Sequence, residues 1–245
     1  MRFGDFVVTS FGVMVALGAL IGLWIFSREL GRSNLAPGAV DAAISGVVGG
    51  LAGAKLLWFA EHFGEEPWRG LLLSRGGLSW YGGLAGGLAA GLITIVAKRL
   101  PVIPVLAAAT PALAIGHAIG RIGCFLVGDD YGRPSGVPWA VAFPEGLPPT
   151  DVPVHPTQLY ECLALLPLAW ALGRLRRNGV PDRAVLGAYL IGAGAIRFAI
   201  EWIRVNPPVA LGMSVAHWAS LAAIGAGLVQ LCRNFPRPRR AAGGY

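Results

Sequence analysis

Charged side chains are scarce in this sequence, and those that could do chemistry stand beside apolar runs. Arg121 lies in Gly120-Arg121-Ile122-Gly123, directly after one such run. An arginine fork matches phosphate oxygens, and flanking glycines let a backbone come close to a ligand. The plain alternative is an arginine stretching to a membrane interface. Arg197, Glu201 and Arg204 are spaced i, i+4, i+7, on one helix face. They form either a structural ion-pair ladder or, with Arg121, a two-arginine clamp for a phosphodiester. His117 precedes Arg121 by one helical turn, so it is either a packed histidine or a base working near neutral pH. His217 has no such neighbour and is expected to be structural.

Lys55 falls inside an apolar run, where it must pair, reach the interface or lose its proton; Glu161 is its expected counter-ion. His155-Pro156-Thr157-Gln158-Leu159-Tyr160-Glu161 reads as the start of a helix, with proline in the first turn and a polar stripe of His155, Gln158 and Glu161. That stripe either holds a head group or fixes the loop before it. The whole passage from Gly120 to Glu161 carries two arginines, five acids and a histidine between lipid-length apolar segments, which points to an anionic lipid head group.

These residues need elements to position them, and the composition dictates which. With 55% hydrophobic and 13% charged residues, the chain lacks the polar surface of a soluble domain of its length. Seven apolar runs of roughly membrane-spanning length recur, at about 8–27, 42–60, 77–97, 102–120, 157–173, 184–203 and 213–232. The expected fold is therefore all-α, a polytopic helical membrane protein. It forms one integral-membrane domain over 1–245, with a longer outer loop at about 121–155 and a basic tail at about 233–245. The net charge of +7 is a topology signal rather than a nucleic-acid footprint, because the basic residues cluster in alternate loops. SRELGRSNLAPGAVD, KRLP, GRLRRNGVPDR and the tail are basic, with only Glu29, Asp41 and Asp182 against them. The carboxyl terminus is expected in the cytoplasm and the amino terminus outside, with function on the outer side, where the loops are longer and mixed in charge. The first run lacks a convincing signal-peptide cleavage site and reads as a retained helix.

Gly49-Gly50-Leu51-Ala52-Gly53 and Gly82-Gly83-Leu84-Ala85-Gly86-Gly87 predict close helix packing. Pro111 and Pro167 predict kinks. Trp139–Phe143 alternates and is β-prone. Cys124, Cys162 and Cys232 have neither disulfide nor metal spacing, and no cofactor is expected.

Taken in order, GRIGCFLVGDDYGRPS, PWAVAFP, HPTQLYE and RFAIEWIR resemble the prolipoprotein diacylglyceryl transferase family, with weaker agreement at Gly76–Gly83 and Gly53-Ala54-Lys55. The resemblance covers nearly the whole chain, and its specificity lies in the combination. It implies a seven-span protein of the bacterial inner membrane whose site faces the outer leaflet. It implies transfer of the diacylglyceryl group of phosphatidylglycerol to the lipobox cysteine of a preprolipoprotein signal peptide, giving a thioether and glycerol phosphate.

By the same resemblance, the family's Gly-Arg-Ile-Gly arginine falls on Arg121, its later arginine before Phe-x-x-Glu on Arg197, its loop acid on Asp129 and its Gly-Ala-Arg arginine on Lys55. Four positions depart from the family pattern: Tyr81 replaces a histidine, Cys124 an asparagine, and Phe11 and Ala193 tyrosines. The expected assignment places Arg121 and Arg197 on the lipid phosphate and Tyr81 or His117 near the thiol. Lys55, Cys124, Asp129, His155, Gln158, Tyr160, Glu161, Glu201 and Arg204 line the substrate site or order it. Competing readings are a non-catalytic lipid or peptide binder and, against the lack of internal repeats, a transporter.

Overall fold

In the computed structural model, residues 9–64 and 78–233 are described, together with the backbone of 2–3 and 6–7. Segment 65–77, with Arg69, Arg75 and the expected Gly76-Gly77, and the basic tail 234–245 lie outside the described residues. A short amino-terminal pair, β1 (Arg2–Phe3) and β2 (Phe6–Val7), is followed by α1 (Ser10–Arg32), α2 (Val40–Glu61), α3 (Trp80–Ala97) and α4 (Val102–Val127). A hairpin, β3 (Val141–Phe143) and β4 (Thr150–Val154), leads to α5 (Thr157–Arg177), α6 (Asp182–Glu201) and α7 (Val215–Cys232).

Among the described residues, seven long helices match the seven apolar runs, because in hydrocarbon each backbone N–H must find its acceptor within its own segment. Six of these are long and apolar enough to cross a membrane. The other, α5, has 21 residues but ends in Arg174, Arg176 and Arg177. Burial is inverted relative to a soluble protein. Leu20, Val48, Leu56, Ile93, Leu163 and Trp170 are exposed, while Arg121, Gln158, Glu161, Glu201 and His217 are buried. Apolar groups facing out and charges facing in are what lipid as solvent selects. The protein is a polytopic helical membrane protein.

The chain divides into two compact units, one of residues 1–22 and 110–245, the other of residues 23–109. In the second unit, α2 and α3 pack through glycine. A Cβ on Gly53 would stand 2.4 Å from the Gly82 carbonyl oxygen, and one on Gly86 2.4 Å from that of Gly49. Only residues without side chains permit this approach, so the glycine runs serve helix packing. Asp41 and Lys98 form an ion pair across the other end of the same two helices.

In the first unit, α4, α5 and α6 meet around Ala118, Cys162 and Leu165, with Ile122, Leu168 and Ile196 against them. Pro111 and Pro167 both lie inside continuous helices. Glycines also set the packing of α6 on α7, where a Cβ on Gly187 would lie 2.8 Å from the Gly227 carbonyl oxygen.

Two boundaries differ from the sequence reading. Helix α4 continues to Val127, seven residues past the apolar run, so Arg121 and Cys124 sit on its last turns rather than in the loop. Its continuation is amphipathic, with buried Arg121 on one side and exposed Leu126 on another. Helix α6 ends at Glu201, so Arg204 lies just beyond it rather than on a shared helical face. Arg204 instead bridges in an antiparallel manner to Gly132 of the long loop between α4 and α5. The β-prone stretch does form β3, over Val141–Phe143, paired with β4.

Candidate active site

The packing around Ala118, Cys162 and Leu165 brings α4, α5 and α6 together, and each contributes a charged side chain beside this apolar cluster. From α5, Glu161 is 1% exposed and is the hub of the arrangement. Its Oε2 lies 2.8 Å from Arg121 Nε and 3.7 Å from Arg197 Nη1, and its Oε1 3.3 Å from His117 Nε2. Arg197 Nη2 then reaches Glu201 Oε2 at 2.7 Å, which Arg204 Nε approaches at 3.7 Å. Glu201 also accepts hydrogen bonds at Oε1 from Asn206 Nδ2 (2.7 Å) and from the Ser214 hydroxyl.

The circuit closes through the loop. Arg121 Nη1 donates to Asp130 Oδ2 at 2.8 Å, and Arg204 Nη2 pairs with Asp130 Oδ1. Three guanidinium groups thus face three carboxylates, with His117 beside them. Such a network is tolerated at the edge of hydrocarbon because every charge has an opposite partner. Its donors are not all used: Arg204 Nη1 is buried without a hydrogen-bond partner among the described residues, as is the acceptor Gln158 Oε1.

The backbone of the loop is pinned to present these groups. Gly128 adopts φ +68°, and a Cβ there would meet Gly146 Cα at 2.9 Å. Asp130 has φ +62°, which turns its side chain back toward the arginines. Gln158 Nε2 donates to the Asp129 carbonyl, and Thr157 Oγ1 donates to that of Asp130 at 2.9 Å. Gly132 donates its N–H to the His155 carbonyl at 2.9 Å, and Arg133 its N–H to that of Ile203 at 2.8 Å. A Cβ on Gly132 would lie within 2.9 Å of His155, Thr157 and Ile203, so only glycine fits there.

The adjacent acids behave oppositely. Burial pushes the Asp129 carboxyl above the usual carboxylate value; a Cys124 hydrogen bond opposes this and the Asp130 charge adds to it. Burial acts on Asp130 in the same sense, but Arg204 and then Arg121 outweigh it and hold that carboxyl at about 2.

Of the residues expected to serve the site, Arg121, His117, Glu161, Arg197, Glu201 and Arg204 form this one network. Gln158 orders the loop, and Cys124 Sγ lies 3.8 Å from Arg121 Nη1. His155 and Tyr160 make a separate cluster: Tyr160 accepts from Trp139 Nε1 at 2.6 Å, and its hydroxyl lies 3.1 Å from His155 Nδ1. Lys55 and Tyr81 belong to the unit of residues 23–109. There Lys55 stands over the Trp58 ring at 4.6 Å, and half-exposed Tyr81 packs edge-on against Trp80. His217 hydrogen-bonds through Nδ1 to the Ser214 N–H at the start of α7, between the rings of Phe198 and Trp202.

Asp130 was not legible as a partner of the arginines. The sequence shows two neighbouring acids, and only the left-handed backbone at the second selects it. Ser214 and Asn206, which fix Glu201, carried no sequence signal because they lie in a separate loop. Among the described residues, one set of side chains has metal-ligand types: Cys124, Asp129 and Asp130 bring donor atoms within 4.8 Å of one another. Arg121 Nη1 already lies against two of them, so a guanidinium supplies the positive charge there.

A polytopic helical membrane protein that gathers arginines and carboxylates at one end of its helices is the class that the fold and these side chains define. The profile of the family described as prolipoprotein diacylglyceryl transferase matches residues 1–233, and the chain belongs to that family. Among similar proteins are those named phosphatidylglycerol–prolipoprotein diacylglyceryl transferase from three bacteria. The Methylococcus capsulatus protein is 34% identical, covering 91% of this chain and 87% of its own. The Geobacter sulfurreducens protein is 33% identical, covering 86% and 83%. The Idiomarina loihiensis protein is 36% identical over a shorter stretch, 76% and 71%.

Proposed function

We propose that this protein transfers the diacylglyceryl group of phosphatidylglycerol to the lipobox cysteine thiol of a preprolipoprotein. The observation that carries the reading is the sharing of one buried carboxylate by two arginines, Arg121 at 2.8 Å and Arg197 at 3.7 Å from Glu161 Oε2. Glu161 neutralises part of their charge and fixes their direction. Arg121 Nη1 also pairs with Asp130 and Arg197 Nη2 with Glu201, so a phosphate is met by the N–H groups left over and by those it takes from Asp130.

A thioether product defines the bonds. The acceptor sulfur attacks the glyceryl carbon that bears the phosphate, the C–O bond breaks, and the electron pair leaves on the glycerol phosphate oxygen. Growing negative charge on that phosphate is what the arginines stabilise. The thiol proton must leave first, because thiolate is the nucleophile. His117, beside Glu161 and one turn before Arg121, is the candidate to take it; the alternative is Tyr81 acting on the thiol by hydrogen bonding.

Basic loops alternating with mixed ones support a placement in the bacterial inner membrane, with the amino terminus outside, the tail in the cytoplasm and the site toward the outer leaflet. The substrates meet there: the lipid enters from the bilayer and the lipobox segment arrives with its signal peptide. The test is to mix the purified protein with phosphatidylglycerol vesicles and a lipobox peptide. Mass spectrometry then shows the peptide heavier by one diacylglyceryl group, with glycerol phosphate released. Binding of both without that product contradicts the reading.

A further inference from the structure

One carboxylate of the network is unlike the other two. Glu161 and Glu201 project from helices and have side chains 1% and 0% exposed. Asp130 projects from a loop, and its side chain is 43% exposed. Its partners are buried, with the Arg121 side chain 8% and the Arg204 side chain 6% exposed. Asp130 therefore covers the arginines from the open side.

The nitrogens it covers are Arg121 Nη1 and Arg204 Nη2, terminal nitrogens of the two forks, and Arg204 Nη1 beside them has no hydrogen-bond partner among the described residues. Terminal nitrogens are the ones a phosphate would use in a two-point contact. The anion seat between these arginines is thus built, and a side chain of the protein fills it.

We propose that Asp130 is an exchangeable counter-anion: it occupies the seat of the lipid phosphate between Arg121 and Arg204, gives way to that phosphate, and returns to displace the product. This rests on the reading of Arg121 as a phosphate ligand. Charge counting favours exchange over addition. Three arginines balance Glu161, Glu201 and Asp130. A phosphodiester carries one negative charge, so swapping it for Asp130 leaves the buried balance unchanged. The leaving glycerol phosphate carries between one and two charges near neutral pH, since its second ionisation lies around pH 6. It would bind the arginines more tightly than the substrate does. A tethered carboxylate competing for the same nitrogens opposes that and speeds release.

The test compares wild type with Asp130→Asn, using phosphatidylglycerol vesicles and a lipobox peptide, and adds glycerol phosphate as inhibitor. The variant is expected to show a KM for phosphatidylglycerol at least threefold lower and inhibition by glycerol phosphate about tenfold stronger. A merely structural role for Asp130 would weaken anion binding instead. An unchanged or weaker inhibition by glycerol phosphate overturns the proposal. Asp130→Ser, smaller and uncharged, gives the same readout if the asparagine variant does not fold. Arg121→Lys separates the two claims: if it keeps full activity, the phosphate reading itself fails. If it is inactive while Asp130→Asn binds product no more tightly, only the exchange fails.

Discussion

Glu161 carries the greatest load of any single residue. It is buried and faces His117, Arg121 and Arg197 at once, so removing its charge leaves Arg121 with Asp130 alone and Arg197 with Glu201 alone in a low-dielectric setting. Breaking a buried ion pair in this way costs roughly 3–5 kcal/mol. Glu161→Gln, which keeps the shape, is expected to lower the thermal stability of the detergent-solubilised protein by that order and to abolish transfer. A melting temperature equal to wild type contradicts the hub role. Asp130 gives a pH signature. Its folded carboxyl sits at about 2, below the usual carboxylate value of about 4. Its ion pairs therefore stabilise the fold fully above pH ~4 and are lost as pH falls through about 2. Wild type is expected to lose stability over that window more steeply than Asp130→Asn, as read by melting temperature against pH. The arginines were legible in the sequence because charge beside a membrane-length run demands a reason. Asp130 was not, because the sign of φ at one loop residue decides which of two acids turns inward.

At the level of elements, apolar run length located all seven helices, since nothing but a helix satisfies the backbone in lipid. Run length located the ends less well. Helix α4 outlasts its apolar run, because its final turns bury Arg121 against Glu161 rather than against lipid, and hydropathy does not register that. The ladder of Arg197, Glu201 and Arg204 kept its contacts although the helix stops at Glu201, because the chain beyond is tied to Gly132. Glycine content forecast close packing, and the α2–α3 contact shows how close: a Cβ on Gly53 would stand 2.4 Å from backbone oxygen. Backbone cannot rotate aside as a side chain can. Gly53→Leu is expected to destabilise by about 1–3 kcal/mol or more. A thermal-shift comparison in detergent checks it, and Gly225→Leu, where a Cβ would have open space, serves as the control expected to melt near wild type.

For the molecule as a whole, one physical arrangement links sequence, fold and family. Apolar faces turn outward to lipid, and at one end of the helices of the first unit the charges turn inward around Glu161. That end holds the residues on which the family resemblance rests. Tyr81 and Lys55, expected to serve the same reaction, lie in the unit of residues 23–109, and their part in it belongs to the proposed mechanism. The arginines and carboxylates are paired with one another, and on the proposed reading they are the charge machinery for a phosphate leaving group. The most direct test of that machinery is the rate of glycerol phosphate release by Arg121→Lys, measured beside wild type on protein of matched melting temperature. Lysine keeps the charge but loses the fork that reaches Glu161 and Asp130 at once and that, on the proposed reading, takes phosphate in place of Asp130. The account predicts a loss of roughly 10²–10³ in kcat, the effect of removing one preorganised donor. A rate within a few fold of wild type would contradict it.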